Sequence, residues 1–378
     1  MAKKTKKSSK RPAKSKAKKI LSVIITILVV ILFVAWYLFG KPYIVQDEQG
    51  FMLVMTEEPI IPIGFSEDTT SDTVPLTSAE SNAAPRQAQG PEKAVAVPEP
   101  VEGLTNKNIS SKTADLGHPE NSPLFFGNPT DAVTEISSDK NYLMEKPQYT
   151  LSYNANTLCP NWVAWHLDSE NIGEADRSDD FRPDTELPDG WYGVKKTDYQ
   201  YNKYGFDRGH VCPSADRTAT KEDNSMTFLM TNMVPQTPDN NRVIWMHFET
   251  FERELVKAGN EVYIIAGPYG TGGTSQKGTF DTIPINLKSG ETLNMNVPAY
   301  TWKVLIAIPS GNDDLERITD ATTVIAINVP NQTGMQKTGD WEQFLCSVDE
   351  IEAMTGYDFF EVLPDNVEDV LEKMVYIP

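Results

Sequence analysis

Tyr204-Gly205-Phe206-Asp207-Arg208-Gly209-His210-Val211-Cys212-Pro213-Ser214 places one of the chain's four histidines beside an arginine and an aspartate, in a segment made flexible by glycines. An imidazole, with an unperturbed pKa near ~6.5, is well suited to take a proton at neutral pH. The guanidinium of Arg208 is a natural clamp for a phosphate. A string such as Asp207-Arg208-Gly209-His210 arises by chance in roughly one chain of several hundred of this length, so it needs a second element beside it.

Downstream, a helix is expected from near Asp239-Asn240-Asn241 to about Ala258, closed by Gly259. On it Asn241, Trp245, Glu249 and Arg253 recur every four residues, which stacks them along one slowly drifting face. Phosphodiester hydrolysis needs an activated water, a neutralised phosphate and a stabilised leaving oxygen. His210 can take the water's proton, and magnesium, which prefers oxygen and keeps most of its waters, can use a single amide oxygen as its only direct protein ligand. Glu249 would hold the waters around that ion, while Arg208 and Arg253 face the developing charge. Plainer readings exist: a helix-capping role for Asn241, a surface ion pair for Glu249 and Arg253, a core position for Trp245, and a purely loop-fixing role for Asp207. His166, in a tryptophan-rich strand, reads as structural and His247 as exposed.

Around this centre the chain divides by composition. Its first nineteen residues carry ten Lys/Arg and no acid, so of the net charge of −19 residues 20–378 hold −29. Ile20 to Phe39 is apolar apart from Ser22 and Thr26, long enough as a helix to cross a bilayer, with Trp36 and Tyr37 at its far end. A retained signal anchor is expected, rather than a cleaved signal peptide, because the run is long and no clean small-x-small site follows. The basic side stays cytoplasmic, so everything after Gly40 is expected outside the cytoplasm.

Residues 66–122 contain no Phe, Trp or Tyr and six prolines, the composition of a disordered stalk. The short apolar run Phe51-Met52-Leu53-Val54-Met55 before it packs locally or lies near the membrane. Residues 123–378 hold six of the seven tryptophans and read as one folded domain. Strands are expected at 148–153, 162–167, 262–266, 300–308 and 322–329. A second helix is expected after the capping box Ser347-Val348-Asp349-Glu350, stopping at Gly356. Strands with scattered helices and no βαβ rhythm point to an α+β sheet with flanking helices. Cys159, Cys212 and Cys346 are odd in number, so at least one is unpaired within the chain, and the ligand pattern of a structural zinc site is missing.

Gly205-Phe206-Asp207-Arg208-Gly209-His210, then Thr231-Asn232-Met233-Val234-Pro235-Gln236, then Asn241-(x3)-Trp245-(x3)-Glu249-(x3)-Arg253, resembles the DNA/RNA non-specific endonuclease family, the ββα-metal nucleases that include mitochondrial endonuclease G. The likeness extends through Trp162 to Leu167, Gly267-Pro268 and Pro298 to Val304. It implies a central antiparallel sheet with a ββα metal finger. It implies His210 as general base, Asn241 as the direct ligand of Mg2+ (or Mn2+), Glu249 as the acid acting on the ion through water, and Arg253 near the scissile phosphate. An upstream family arginine falls on Arg177 or Arg182; Arg182 is the one expected in the site. The resemblance also implies DNA and RNA substrates and 5′-phosphate products. An acidic body suits a polyanion poorly. Residues 195–221 counter that with Lys195, Lys196, Lys203, Arg208, Arg217 and Lys221 against three aspartates, which suggests a narrow basic groove. The expected function is a membrane-tethered, extracytoplasmic endonuclease; the alternatives are a non-catalytic surface receptor for nucleic acid and a hydrolase of smaller phosphodiesters.

Overall fold

A computed structural model describes residues 118–335 and 339–378 in full, together with the backbone of an antiparallel hairpin, Tyr43–Asp47 with Gly50–Val54. The hairpin belongs to a unit of residues 1–97, separate from the unit of residues 98–378. The expected basic tail and anchor, residues 1–39, and nearly all of the expected stalk lie outside the described residues. Among the described residues no helix is long and apolar enough to cross a membrane.

The larger unit is built on a seven-stranded sheet. Its strands are β1 (Tyr142–Glu145), β2 (Thr150–Asn154), β3 (Cys159–Leu167), β6 (Asn260–Tyr269), β7 (Tyr300–Pro309), β8 (Thr323–Pro330) and β9 (Leu345–Cys346). The order across the sheet is β9-β8-β7-β6-β3-β2-β1, every pair antiparallel. All five expected strands lie in it. The central strands are apolar on both sides because both faces are covered. Val163, Trp165 and Leu167 of β3 point into one core, and Trp162 and Ala164 into the other. Continuous apolar runs are what a doubly covered strand requires.

The first face carries a smaller ββα unit. Strand β4 (Asp207–His210) pairs antiparallel with β5 (Met233–Gln236), and a helical run follows. That run starts one residue before the expected Asp239, at Pro238, and Thr237 Oγ1 accepts a 3.4 Å bond from Asn240 N. Threonine as cap followed by proline at the first helical position is a strong start signal, masked in the sequence by three adjacent polar residues that themselves look like a cap. Asn240–Trp245 forms a π-turn, and α1 (Met246–Lys257) continues from it.

The second face is covered by Leu124–Phe126, α2 (Val348–Thr355) and α3 (Asp365–Lys373). Helix α2 has the expected capping box, with Ser347 and Glu350 bonded reciprocally, and Gly356 ends it at φ 75°. Helix α3 has no counterpart among the expected elements. It is short, rich in charge and has no side-chain cap, so only Val367 and Leu371 betray its buried stripe. The three cysteines are all free thiols, Cys159 and Cys212 buried.

Candidate active site

The two sequence motifs meet. Asp207, at the start of β4, accepts a hydrogen bond from Asn241 Nδ2 at its Oδ2, 3.0 Å, and two more from Arg242, at 2.7 and 2.6 Å. Asn241's amide nitrogen is thereby committed, and no protein donor reaches its Oδ1 among the described residues. Asn240 is the opposite case. It is completely buried, accepts from Gln236 Nε2 at 3.0 Å and donates to Thr301 Oγ1 of β7 at 2.9 Å. Asn240 thus fastens the ββα unit to the sheet, and its neighbour stays partly open. Gly209 makes room for this: a Cβ there would run into the Gln236 side chain.

The π-turn also aligns the helix face. Four residues of α-helix overshoot a full turn by about 40°, whereas a π-turn, with its i→i+5 bonds, needs more residues per turn. The step from Asn241 to Trp245 therefore falls short of a turn, and this offsets the overshoot of the following steps to Glu249 and Arg253. Trp245 itself is core, 2% exposed.

His210 closes β4 with its side chain buried, and its Nε2 has no hydrogen-bond partner. Its ring lies 4.7 Å from that of Phe228 and 5.5 Å from that of Phe181. The same two phenylalanines carry arginines: Arg208 lies 4.4 Å from the Phe181 ring and Arg177 4.8 Å from the Phe228 ring. Burial first, then Arg177 and Arg208, hold the imidazolium far below its usual range, at about 3. His210 is therefore a neutral imidazole at physiological pH. The loop behind it is pinned by Asn232, which exchanges two bonds with the backbone of Cys212, at 2.9 and 2.8 Å.

Of the two upstream candidates, Arg177 and Arg182, Arg177 is the one whose charge acts on His210. Arg182 donates to Asp180 Oδ2 at 2.7 Å and to the Ser225 carbonyl at 2.8 Å. Spacing does not separate two arginines five residues apart in an irregular segment. Phe181 and Phe228 escape sequence reasoning for a similar reason: nothing in a sequence marks an aromatic as a platform.

Beneath α1 lies a buried charge network. Arg253 donates to Asp216 Oδ1 at 2.8 Å, and Trp165 Nε1 donates to Oδ2 of the same carboxylate at 3.0 Å. Lys303 Nζ and Glu252 pair at 2.9 Å with no exposure, the ammonium 4.6 Å from the Trp245 ring. Glu249, partly exposed, borders this network. Burial raises its carboxyl to about 8; Lys303 and Arg253 oppose the rise, and Asp216 and Glu252 add to it.

The basic window is weaker than its composition suggests. Arg217 is buried and donates to the carbonyls of Gln148, Asp216 and His166, so it is a staple and offers no surface charge. Lys195, Lys196 and Lys203 are exposed. His166 pairs with Glu261 at 2.9 Å, and His247 is exposed.

Residues 127–366 match the family model for DNA/RNA non-specific endonuclease. A nuclease of Nostoc sp. is 46% identical over 252 residues, covering 67% of this chain and 85% of its own length. The mitochondrial nuclease EXOG of Danio rerio is 32% identical over 57% of this chain and 60% of its own length. The mitochondrial nuclease of Saccharomyces cerevisiae is 29% identical over 62% and 70%. A chain of the solved EndoG/EndoGI complex superposes with a TM-score of 0.49 at 23% identity, over 64% of this chain and 91% of that one. With its two motifs joined in one ββα unit, this chain belongs to the DNA/RNA non-specific endonuclease family and is a hydrolase of that kind.

Proposed function

We propose that this endonuclease cleaves DNA and RNA with little sequence preference, using one divalent ion, magnesium or manganese, and His210 as general base. The observation that carries this reading is the bond between Asp207 and Asn241, which turns two sequence fragments into one site. The residues suit a hard cation. Asn241 keeps its amide oxygen free of protein donors, and Glu249 offers a partly exposed carboxyl group on the same helix face, which a bound cation would draw into its ionised form. Bound there, the ion would stabilise charge on the phosphoryl group and the leaving oxygen.

The chain's own groups do the rest. His210 Nε2, buried and unpartnered, accepts the proton of the attacking water. Arg208 and Arg177 flank it and bind the phosphate. The same charges make His210 a weak base in the free protein, and an incoming phosphodiester anion offsets them and strengthens it. Arg253, held by Asp216, adds positive charge at the far end of the face. Products end in 5′-phosphate.

Residues 20–39 anchor the chain, residues 1–19 stay in the cytoplasm and the nuclease domain works outside it. Incubating the full chain with plasmid DNA and with RNA, in magnesium and then in chelator, tests the reading. Cleavage of both that stops with chelator supports it; binding without cleavage would mean a receptor, and cleavage of small phosphodiesters alone a different hydrolase. His210→Ala should abolish cleavage and leave nucleic-acid binding.

A further inference from the structure

The last two helices carry a feature that hydrolysis does not use. Asp349 and Glu352 stand one turn apart on α2, and Glu372 approaches from α3; one carboxylate oxygen of each lies within 4.8 Å of the others. Two oxygens bound to one calcium ion at roughly 2.4 Å sit at most about 4.8 Å apart, so the three fit a single coordination sphere. Acidic clusters are common and signify little alone. Glu372 sets this one apart, because it is only 8% exposed and its Oε1 is buried without a hydrogen-bond partner.

A carboxylate in that state needs a proton or a cation. Burial first, then Glu352, Glu368, Asp349 and Asp358, all push the Glu372 carboxyl up, to about 9. Lys373, next along the chain, is exposed and donates to Asp369 at 3.0 Å. Glu352 receives a backbone bond at Oε1, from Phe359 N at 2.8 Å, and a side-chain hydrogen bond links its carboxyl group to that of Glu372, whose Oε1 stays unpartnered.

We propose that Asp349, Glu352 and Glu372 form a binding site for a divalent cation of the calcium class that fastens α3 to α2. Calcium tolerates irregular shells of about six to eight oxygens, whereas magnesium demands a near-ideal octahedron. Three carboxylates from two helices fill part of such a shell and water completes it. Both helices pack on the second face of the sheet, and the ββα unit lies on the first. The site therefore acts on the stability of the C-terminal layer and stands apart from the hydrolytic reading.

The rival account is a proton shared between Glu352 and Glu372. Thermal melting of the full chain in constant excess magnesium, with and without added calcium chloride, decides between them. Calcium at a hundredfold excess over its Kd should raise the melting temperature by roughly 5 °C. Glu372→Gln and Asp349→Asn should abolish the rise, and Asn241→Ala should keep it. Calorimetric titration in magnesium should find one calcium bound to Asn241→Ala and none to Glu372→Gln. Should Glu372→Gln fail to fold, Asp349→Asn, at a partly exposed position, decides in its place. No response of the wild type to calcium overturns the proposal, as does a rise lost in Asn241→Ala and kept in Glu372→Gln. A Glu372→Gln protein that melts higher, with no calcium response in either form, assigns the cluster to the shared proton.

Discussion

Asp207 Oδ2 holds the side-chain amide of Asn241 at 3.0 Å, joining the first residue of the Asp-Arg-Gly-His strand to the first turn of the helix that follows it. An amide can present either end. With its nitrogen committed to a carboxylate, the end left for a cation is oxygen. The aspartate that reads in the sequence as a loop-fixing residue is thus what decides which face Asn241 offers.

Asp207→Ala should lower cleavage by roughly 10–100-fold, the usual cost of losing a group that orients a metal ligand. Added magnesium should restore part of the loss. Folding should hardly change, because the Asp207–Arg242 pair is exposed on the arginine side and such pairs contribute about 0–1 kcal/mol. Arg242→Ala, which leaves the bond to Asn241 in place, should stay within a few-fold of wild type. Equal losses in both variants, read by plasmid relaxation, would assign the effect to the ion pair.

The pH profile should report the arginines. His210 must be neutral to accept a proton, and Arg177 and Arg208 both depress its pKa. Removing either charge raises that pKa, so the acid limb of kcat/KM should move to higher pH in Arg177→Ala and Arg208→Ala. Arg182→Ala should leave the limb where it is, because that guanidinium is bound to Asp180 and the Ser225 carbonyl. The position of the limb is the readout, since its height also falls when phosphate binding weakens.

Lys303→Met should be strongly destabilising. Lys303 and Glu252 are both fully buried, and removing one partner of such a pair costs about 3–5 kcal/mol. Lys303→Met with Glu252→Leu should recover most of the loss, measured by urea denaturation. Additive losses would show that the pair is not coupled.

Asp216→Asn should impair catalysis more than stability. Arg253 is 16% exposed and can turn to solvent when its partner is neutralised, so the penalty of a stranded charge is largely avoided. Loss of its placement should lower kcat by about 10-fold or more with little change in KM. A change confined to melting temperature would reduce Asp216 to a packing role.

Much of this protein is legible in its sequence alone. Apolar runs locate every long strand of the sheet, because strands covered on both faces cannot hide their composition. The capping box at Ser347 places α2, because capping is a local exchange of hydrogen bonds between a side chain and its own helix. The order and spacing of Asp207 to His210 and Asn241 to Arg253 point to the chemistry, because helical periodicity turns spacing into direction. Tertiary contact alone settles the remainder. It places Arg177 rather than Arg182 beside His210, and Arg217 in the interior rather than on the surface. It also introduces the π-turn, the Phe181–Phe228 platform and the Glu372 carboxylate. Each depends on which distant segment arrives to bury or pair a group. Periodicity along a chain carries no information about that arrival.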